Sequence, residues 1–273
     1  MPAAIGLLII GDEILSGRHL DKHLTHVIEA LDAHHLKLAW SETIGDDPAR
    51  ITATLKRLFA TGDLIFSTGG IGATPDDHTR QCAAAALGVP VVGHAEAQRL
   101  IAEHTRSVAL KKGEPWEPER ADNLQRLKMG EFPQGAQLVP NPYNHIPGFW
   151  CQSAQGARIY FVPGFPVMAW PMIDWAIERE IAAGLGGSAW LERSVIVYGS
   201  GEAVLTPVME RIERDYPGIT VFSLPSVDDA TYGVHIDLGV KGGNVAQVDA
   251  AFDDLKARIE PLGLRFGPDL TRS

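Results

Sequence analysis

Short, uninterrupted apolar runs alternate with stretches of helical period along the first two thirds of the chain. Ile5–Ile10 is one such run, with no polar position to face water, and predicts a strand buried on both sides. A helical stretch over about 20–34 follows, then a short strand at 36–39 and a helix opening at Pro48. That helix sets Ile51, Leu55 and Leu58 on one face, and its proline occupies a position where a missing N–H costs nothing. Residues 64–66 supply another apolar strand, so the order is strand, helix, strand, helix, strand, which favours a parallel sheet covered by helices. Beyond it the pattern predicts an alanine-rich helix at Thr79–Leu87 closing at Gly88, an apolar segment at 89–92, and helices at 95–109 and 120–129. Residues 111–118 and 131–149 read as loops, 159–162 as a strand ending in Pro163-Gly164, and helical period resumes at Val167.

A glycine-rich break at Leu185-Gly186-Gly187-Ser188 places a domain boundary between 1–186 and 187–273. The remainder predicts strands at 194–198, 219–222 and 232–238 with helices at 202–216 and 245–259, a small α+β domain of order βαββα. Val234, Ile236 and Leu238 alternate there as in a half-buried antiparallel strand.

Composition narrows the function classes. With 34 acidic against 24 basic residues the net charge is -10, so neither nucleic acid nor an anionic membrane is an expected partner, and a phosphate ligand needs a local site. The run at 5–10 is far too short to span a bilayer. The two cysteines, Cys82 and Cys151, form no spaced ladder, which fits a reducing cytoplasm and gives neither a disulfide framework nor a zinc site.

Such a local site is offered by Gly69-Gly70-Ile71-Gly72, directly after a strand and before a helix. Glycine allows close backbone approach, and free N–H groups at a helix start attract anions. The spacing is neither the dinucleotide fingerprint nor a Walker A loop. A plain tight turn, with Asp76 or Asp77 capping the next helix, explains the same residues. Acidic residues recur at loops beside strand ends: Asp12-Glu13, Asp46-Asp47 and Asp76-Asp77. In an open parallel sheet, ligands bind outside the carboxyl ends of the strands, so Asp12, Glu13 and Asp77 converge there if the first and third strands are neighbours. Carboxylates repel phosphate unless a divalent ion such as Mg2+ bridges them, which makes these three the candidate metal ligands. Asp46 or Asp47 reads equally as the cap of the helix at Pro48.

The ordered motifs Gly11-Asp12-Glu13-Ile14-Leu15-Ser16-Gly17, Gly45-Asp46-Asp47 and Thr68-Gly69-Gly70-Ile71-Gly72-Ala73-Thr74-Pro75-Asp76-Asp77-His78-Thr79 resemble the molybdopterin-binding (MoaB/Mog-like) domain. More closely they resemble the N-terminal part of the competence/damage-inducible protein A (CinA) family, as do Asn141-Pro142-Tyr143-Asn144-His145-Ile146-Pro147-Gly148 and Pro163-Gly164-Phe165-Pro166. The resemblance spans about residues 5–172 and implies a three-layer Mog-like α/β domain with a mostly parallel sheet. It implies homo-oligomerisation and metal-dependent hydrolysis of a nucleotide pyrophosphate such as ADP-ribose, with molybdopterin binding or adenylylation, or non-catalytic nucleotide binding, as the other readings. Carried over by position, Gly69, Gly70, Gly72, Thr74, Thr79 and Asn141 hold ligand or phosphate, and Asp77 and Asp46 are catalytic. Asn144 and His145 depart from the small residues the family has in the proline loop, and Ala73 stands where proline is frequent. His145 reads as a solvated loop residue or as an acid–base group; His19, His23 and His26 share helical spacing but lack a zinc pattern.

Overall fold

The computed structural model describes residues 2, 4–186 and 191–272, so Gly187 and Ser188 of the glycine-rich break lie outside the described residues. The chain divides into two compact units, Met1–Gly186 and Gly187–Ser273.

In the first unit β1 (Ile5–Ile10), α1 (Asp12–Leu15), α2 (His23–Asp32), β2 (Trp40–Ile44), α3 (Pro48–Phe59), β3 (Leu64–Thr68) and α4 (Thr79–Leu87) follow one another. Then come β4 (Val91–Gly93), α5 (Ala95–Lys111), α6 (Ala121–Leu127), β5 (Glu131–Pro133), β6 (Gln137–Val139), β7 (Gly148–Gln152), β8 (Arg158–Val162) and α7 (Pro166–Ala182). The main sheet has the order β2-β1-β3-β8-β7-β6. Its first four strands are parallel; β7 runs antiparallel to β8, and β6 antiparallel to β7. Side chains leave a strand alternately to opposite faces, and both faces here are covered. Leu7, Ile9, Phe66 and Tyr160 pack with Val27 and Leu31 of α2 and Met172, Ile173 and Ala176 of α7. Leu8, Ile10, Ile65 and Phe161 pack with Ile51, Leu55 and Leu58 of α3 and Cys82 and Ala83 of α4. The result is helix, sheet, helix, with β1 and β3 adjacent at its centre.

Two features of this sheet differ from the apolar pattern. The strand expected at 36–39 lies at Trp40–Ile44, because an edge strand with one solvated side tolerates Ser41, Glu42 and Thr43, while Leu36 and Leu38 pack into the core ahead of it. The region read as a loop from 131 to 149 contains β5, β6 and the start of β7, short strands whose brevity hides any period. Both cysteines are free and buried, and burial pushes the Cys151 thiol up to about 12.

In the second unit β9 (Leu191–Tyr198), α8 (Glu202–Asp215), β10 (Thr220–Asp229), β11 (Gly233–Gly242), α9 (Val245–Ile259) and β12 (Arg265–Arg272) build an antiparallel sheet of order β10-β11-β9-β12. Leu205 and Ile212 of α8 and Phe252 and Leu255 of α9 close its apolar face against Val195, Val197 and Leu238. The order is βαββαβ rather than βαββα. β12 escapes a hydrophobicity reading because it is a polar edge strand carrying Pro268, with an irregular register between Phe266 and Asp269.

Candidate functional site

The central strands β1 and β3 end side by side, Ile9 opposite Thr68, and the loops that follow them form the floor of a cleft. Gly69 donates its N–H to the Val162 carbonyl at 3.0 Å, and its φ of +99° turns the chain so closely over β1 that a Cβ would stand 2.1 Å from the Ile10 carbonyl oxygen. Only glycine fits there. Gly70 has φ +67°, and a Cβ would meet the Thr79 hydroxyl at 2.2 Å. Thr79 locks this turn: its N–H donates to the Gly70 carbonyl at 3.0 Å and its hydroxyl to the Gly69 carbonyl at 3.2 Å. Buried Arg80 ties the far side, Nη2 donating to the Gly72 carbonyl at 2.7 Å; burial lowers its pKa, with Asp77 and Glu131 opposing. The carbonyls of Gly69, Gly70 and Gly72 are thus occupied, whereas the N–H groups of Gly70, Ile71 and Gly72 have no acceptor among the described residues.

Around this loop lies a cleft of about 600 Å3 whose walls include Glu13, Arg18, His19, Asp21, Lys22, His23, Asp46, Gly69, Gly70, Asp76, Asp77, Gly164 and Phe165. A second cavity of about 440 Å3 shares Gly70, Asp77, Gly164 and Phe165 with it and continues along Ile71, Met129, Asn141, Asn144, Ile146 and Met168.

The acids have distinct duties. Asp12 and Asp46 clasp the β1 and β2 loops together: the Asp12 N–H donates to Asp46 Oδ2 at 2.8 Å and the Asp46 N–H to Asp12 Oδ1 at 3.3 Å. Burial, and then the neighbouring carboxylates of Asp12, Glu13 and Asp76, raise the Asp46 pKa, opposed by the Asp12 N–H bond. Asp47, not Asp46, caps α3, its Oδ1 accepting from the Arg50 N–H at 2.7 Å. Asp77 Oδ2 receives both the N–H and the hydroxyl of Thr74, which folds the loop back on itself. Thr74 is therefore placed as a partner of Asp77, and Asp12 as a partner of Asp46 rather than a wall of the cleft. Asn141 lines the second cavity with its side chain engaged inside its own loop: Nδ2 donates to Asn144 Oδ1 at 2.8 Å and the Ile146 carbonyl at 3.0 Å, and Oδ1 accepts from the Tyr143 N–H.

A divalent ion is poorly served by these donors. Asp12, Glu13 and Asp77 do not converge as ligands, and among the described residues no group of three or more His, Cys, Asp and Glu side chains is arranged to hold a metal. The histidines are also dispersed. His23 is buried and binds the Gly164 carbonyl through Nε2 at 3.0 Å, so its neutral form carries the proton there, and burial lowers its pKa. His26 stacks on Trp170 and pairs with Asp174. His145 sits exposed at φ +62°, its N–H on the Asn141 carbonyl, and lines neither cavity.

Sequence reasoning missed Arg18, Lys22, His23, Phe165, Met129 and Met168 as cavity walls. Arg18 and Lys22 lie just past the first acidic motif and Phe165 inside the Pro-Gly turn, so position relative to those motifs was the available signal; the methionines left none.

Comparison with known proteins bears on the first unit most. The sequence profile described as "Probable molybdopterin binding domain" matches residues 6–183. A CinA-like protein of Anaeromyxobacter sp. (strain Fw109-5) is 31% identical over 77% of this chain and 49% of its own length. Another CinA-like protein, from Citrifermentans bemidjiense, is 30% identical over 76% of this chain and 47% of its own. The chain thus spans about half the length of these relatives. A protein of Pyrobaculum calidifontis is 28% identical over 97% of this chain and 98% of its own length. Among solved structures, the protein CinA of unknown function from Thermoplasma acidophilum superposes with a TM-score of 0.53 at 25% identity, covering 65% of this chain and 96% of that one.

Proposed function

The chain belongs to the molybdopterin-binding (MoaB/Mog-like) domain family, and from that premise we propose that the cleft binds the phosphate-bearing end of a nucleotide or pterin. The observation that carries this reading is the run of three N–H groups, Gly70 to Gly72, with no acceptor among the described residues, in the turn that Thr79 at the start of α4 pins in place. Successive backbone donors in a turn hold an anion without a net cationic charge, which a chain of net charge -10 does not otherwise supply. Arg18 and Lys22 on the cleft wall set two positive charges against the carboxylates of Glu13, Asp21, Asp46, Asp76 and Asp77, so the loop N–H groups are the anion's main hold.

The finer reading is hydrolysis of a phosphoanhydride in an ADP-ribose-like or dinucleotide ligand. Loop N–H groups would hold one phosphate and stabilise the charge that develops on it. Asp46, with a proton affinity raised by burial and by its acidic neighbours, is the group suited to accept a proton from an attacking water. The acids, among the described residues, do not fit a resident divalent ion. Incubation with ADP-ribose or FAD, with and without Mg2+, tests this: release of a nucleoside monophosphate that is lost in Asp46→Asn is expected, and no turnover of either compound in any condition overturns the hydrolase reading.

A second reading, retention or adenylylation of molybdopterin, is favoured by the family profile over 6–183. A pterin that copurifies with the protein, seen by its fluorescence after oxidation, supports it over hydrolysis.

A further inference from the structure

A third cavity, of about 320 Å3, opens between α5 and α6. Its floor is apolar, with Val108 and Ala109 of α5 beside Ala73, Met129 and Ile146, the last three shared with the second cavity. Its rim carries His104, Lys112, Glu114, Arg120, Asn123 and Arg126, so it is charged at the mouth and apolar below. The volume stands at the lower end of small-molecule sites and suits a ligand smaller than a nucleotide.

Arg126 gives this cavity a direction. Buried Asn123, 4% exposed, donates from Nδ2 to the Glu117 carbonyl at 2.7 Å, and its Oδ1 accepts from Arg126 Nη1 at 2.8 Å. Asp122 Oδ2 accepts from the same Nη1 at 2.6 Å. Both bonds fall on one nitrogen, so the guanidinium is held in place while its Nε–Nη2 edge meets no acceptor among the described residues. That edge is a fork of two parallel N–H donors, which a carboxylate accepts with both oxygens. Arg120 shows the closed form of the same pairing: its Nε and Nη2 donate to the two oxygens of Asp122 at 2.5 and 2.9 Å. The Arg126 side chain is 41% exposed, which leaves its fork open to a ligand.

Charges around the mouth nearly cancel. Lys112, Arg120 and Arg126 stand against Glu114 and Asp122, with Glu117 beside Arg120. Burial first, then His145 and Lys111, lower the His104 pKa, so that wall adds no charge at neutral pH. An anion is therefore selected by the fork rather than by net attraction, and one fork accommodates one carboxylate.

The cavity is also tied to the phosphate loop. Gln125 Nε2, next to Arg126 in α6, donates to the Ala73 carbonyl at 3.0 Å. Just past α6, the Lys128 carbonyl accepts from Arg80 Nη1 at 2.5 Å, while Arg80 Nη2 holds the Gly72 carbonyl. Hydrogen bonds to the loop thus flank Arg126 on both sides in sequence.

We propose that this cavity is an effector site for a small monocarboxylate with an apolar body, the carboxylate on the Nε–Nη2 edge of Arg126 and the body over Val108, Ala109 and Met129. Its occupant steadies α6 and, through Gln125 and Arg80, the loop that presents the Gly70–Gly72 N–H groups. Ordering that loop in advance lowers the entropy cost of binding the anion, so the two ligands favour each other. The carboxylate site stands without the phosphate reading; the link to the loop rests on it.

The test is calorimetry with benzoate and hexanoate, and with benzamide and hexanamide, which keep the same bodies without the charge. Both acids are expected to bind the wild type and neither amide to do so. Arg126→Lys keeps a cation and loses the fork, and is expected to weaken both acids about tenfold. Val108→Phe fills the floor with Arg126 untouched and is expected to weaken them as much. Pyrophosphate affinity measured without an acid is expected to be the same in both variants as in the wild type. In saturating benzoate the wild type is expected to bind pyrophosphate about fivefold more tightly, the lower end of allosteric couplings, and Arg126→Lys at the same benzoate concentration to show no such gain. No binding of either acid, or equal binding by the wild type and both variants, overturns the site. Pyrophosphate affinity that falls in benzoate puts the acid on the phosphate loop and overturns it as well. Acid binding that depends on Arg126, with pyrophosphate affinity unchanged, overturns the link alone. The same dependence in a protein that binds no pyrophosphate upholds the carboxylate site and removes the phosphate reading.

Discussion

Replacing Gly70 by alanine forces a Cβ onto a backbone at φ +67° and sets it 2.2 Å from the Thr79 hydroxyl. A left-handed conformation costs a non-glycine residue about 1–2 kcal/mol, and relieving the clash also moves the turn that presents the Gly70–Gly72 N–H groups. Gly70→Ala is expected to lower both the thermal midpoint and pyrophosphate affinity, read by calorimetry on the same sample; unchanged affinity would separate the loop from the phosphate. Asp46 gives a second prediction of definite sign. Its pKa lies above the ordinary 3.8, through burial first and the Asp12, Glu13 and Asp76 carboxylates after it. A raised carboxyl pKa means the proton is favoured in the folded cleft, so the carboxylate form repels a bound phosphate at neutral pH, and that repulsion fades as pH falls toward the raised value. Asp46→Asn is therefore expected to bind pyrophosphate more tightly than wild type at pH 7, with the two curves converging on acidification. The sequence exposed the acids and glycines of this loop but not their division of labour. Nothing in Asp46-Asp47 as a pair of letters says that one caps α3 and the other faces the cleft; that depends on where Arg50 and Asp12 lie in space.

That division has a measurable consequence for an element. Asp47 satisfies the Arg50 N–H at the start of α3, and Pro48 follows it at a first-turn position. Losing such a cap costs about 1 kcal/mol, so Asp47→Ala is expected to lower the unfolding free energy by that amount, read from a lower denaturant midpoint at unchanged slope, without altering pyrophosphate affinity. A loss of affinity would return Asp47 to the site. Helices with a wide apolar face and a clear stop were legible in advance: α3, and α4 with Gly88 at φ +71°, lie where period and punctuation put them. Strands buried on both sides, β1, β3 and β8, were legible for the same reason. What escaped were edges and short pieces. Trp40–Ile44 and Arg265–Arg272 are polar because one side of each meets solvent, and β5 and β6 have three residues each, too few to show a period of two.

At the scale of the whole chain, each unit has its own core. Among the described residues, the two clusters that sandwich the main sheet draw only on those up to Leu185, and the third only on those from Leu191 onward. Among the described residues, every wall of the cleft and of the adjoining cavity lies between Ile10 and Met168. A unit that keeps both faces of its sheet covered retains the burial that drives folding, since hydrophobic stabilisation follows the apolar area removed from water. A chain ending at Gly186 is therefore expected to fold with a cooperative transition of its own and to bind pyrophosphate as the full chain does. Circular dichroism during heating and calorimetry with pyrophosphate check the two halves of that expectation separately. A folded truncation that binds nothing would mean that the phosphate site needs residues beyond Gly186, and the assignment of the ligand to the Gly70–Gly72 loop alone would fall.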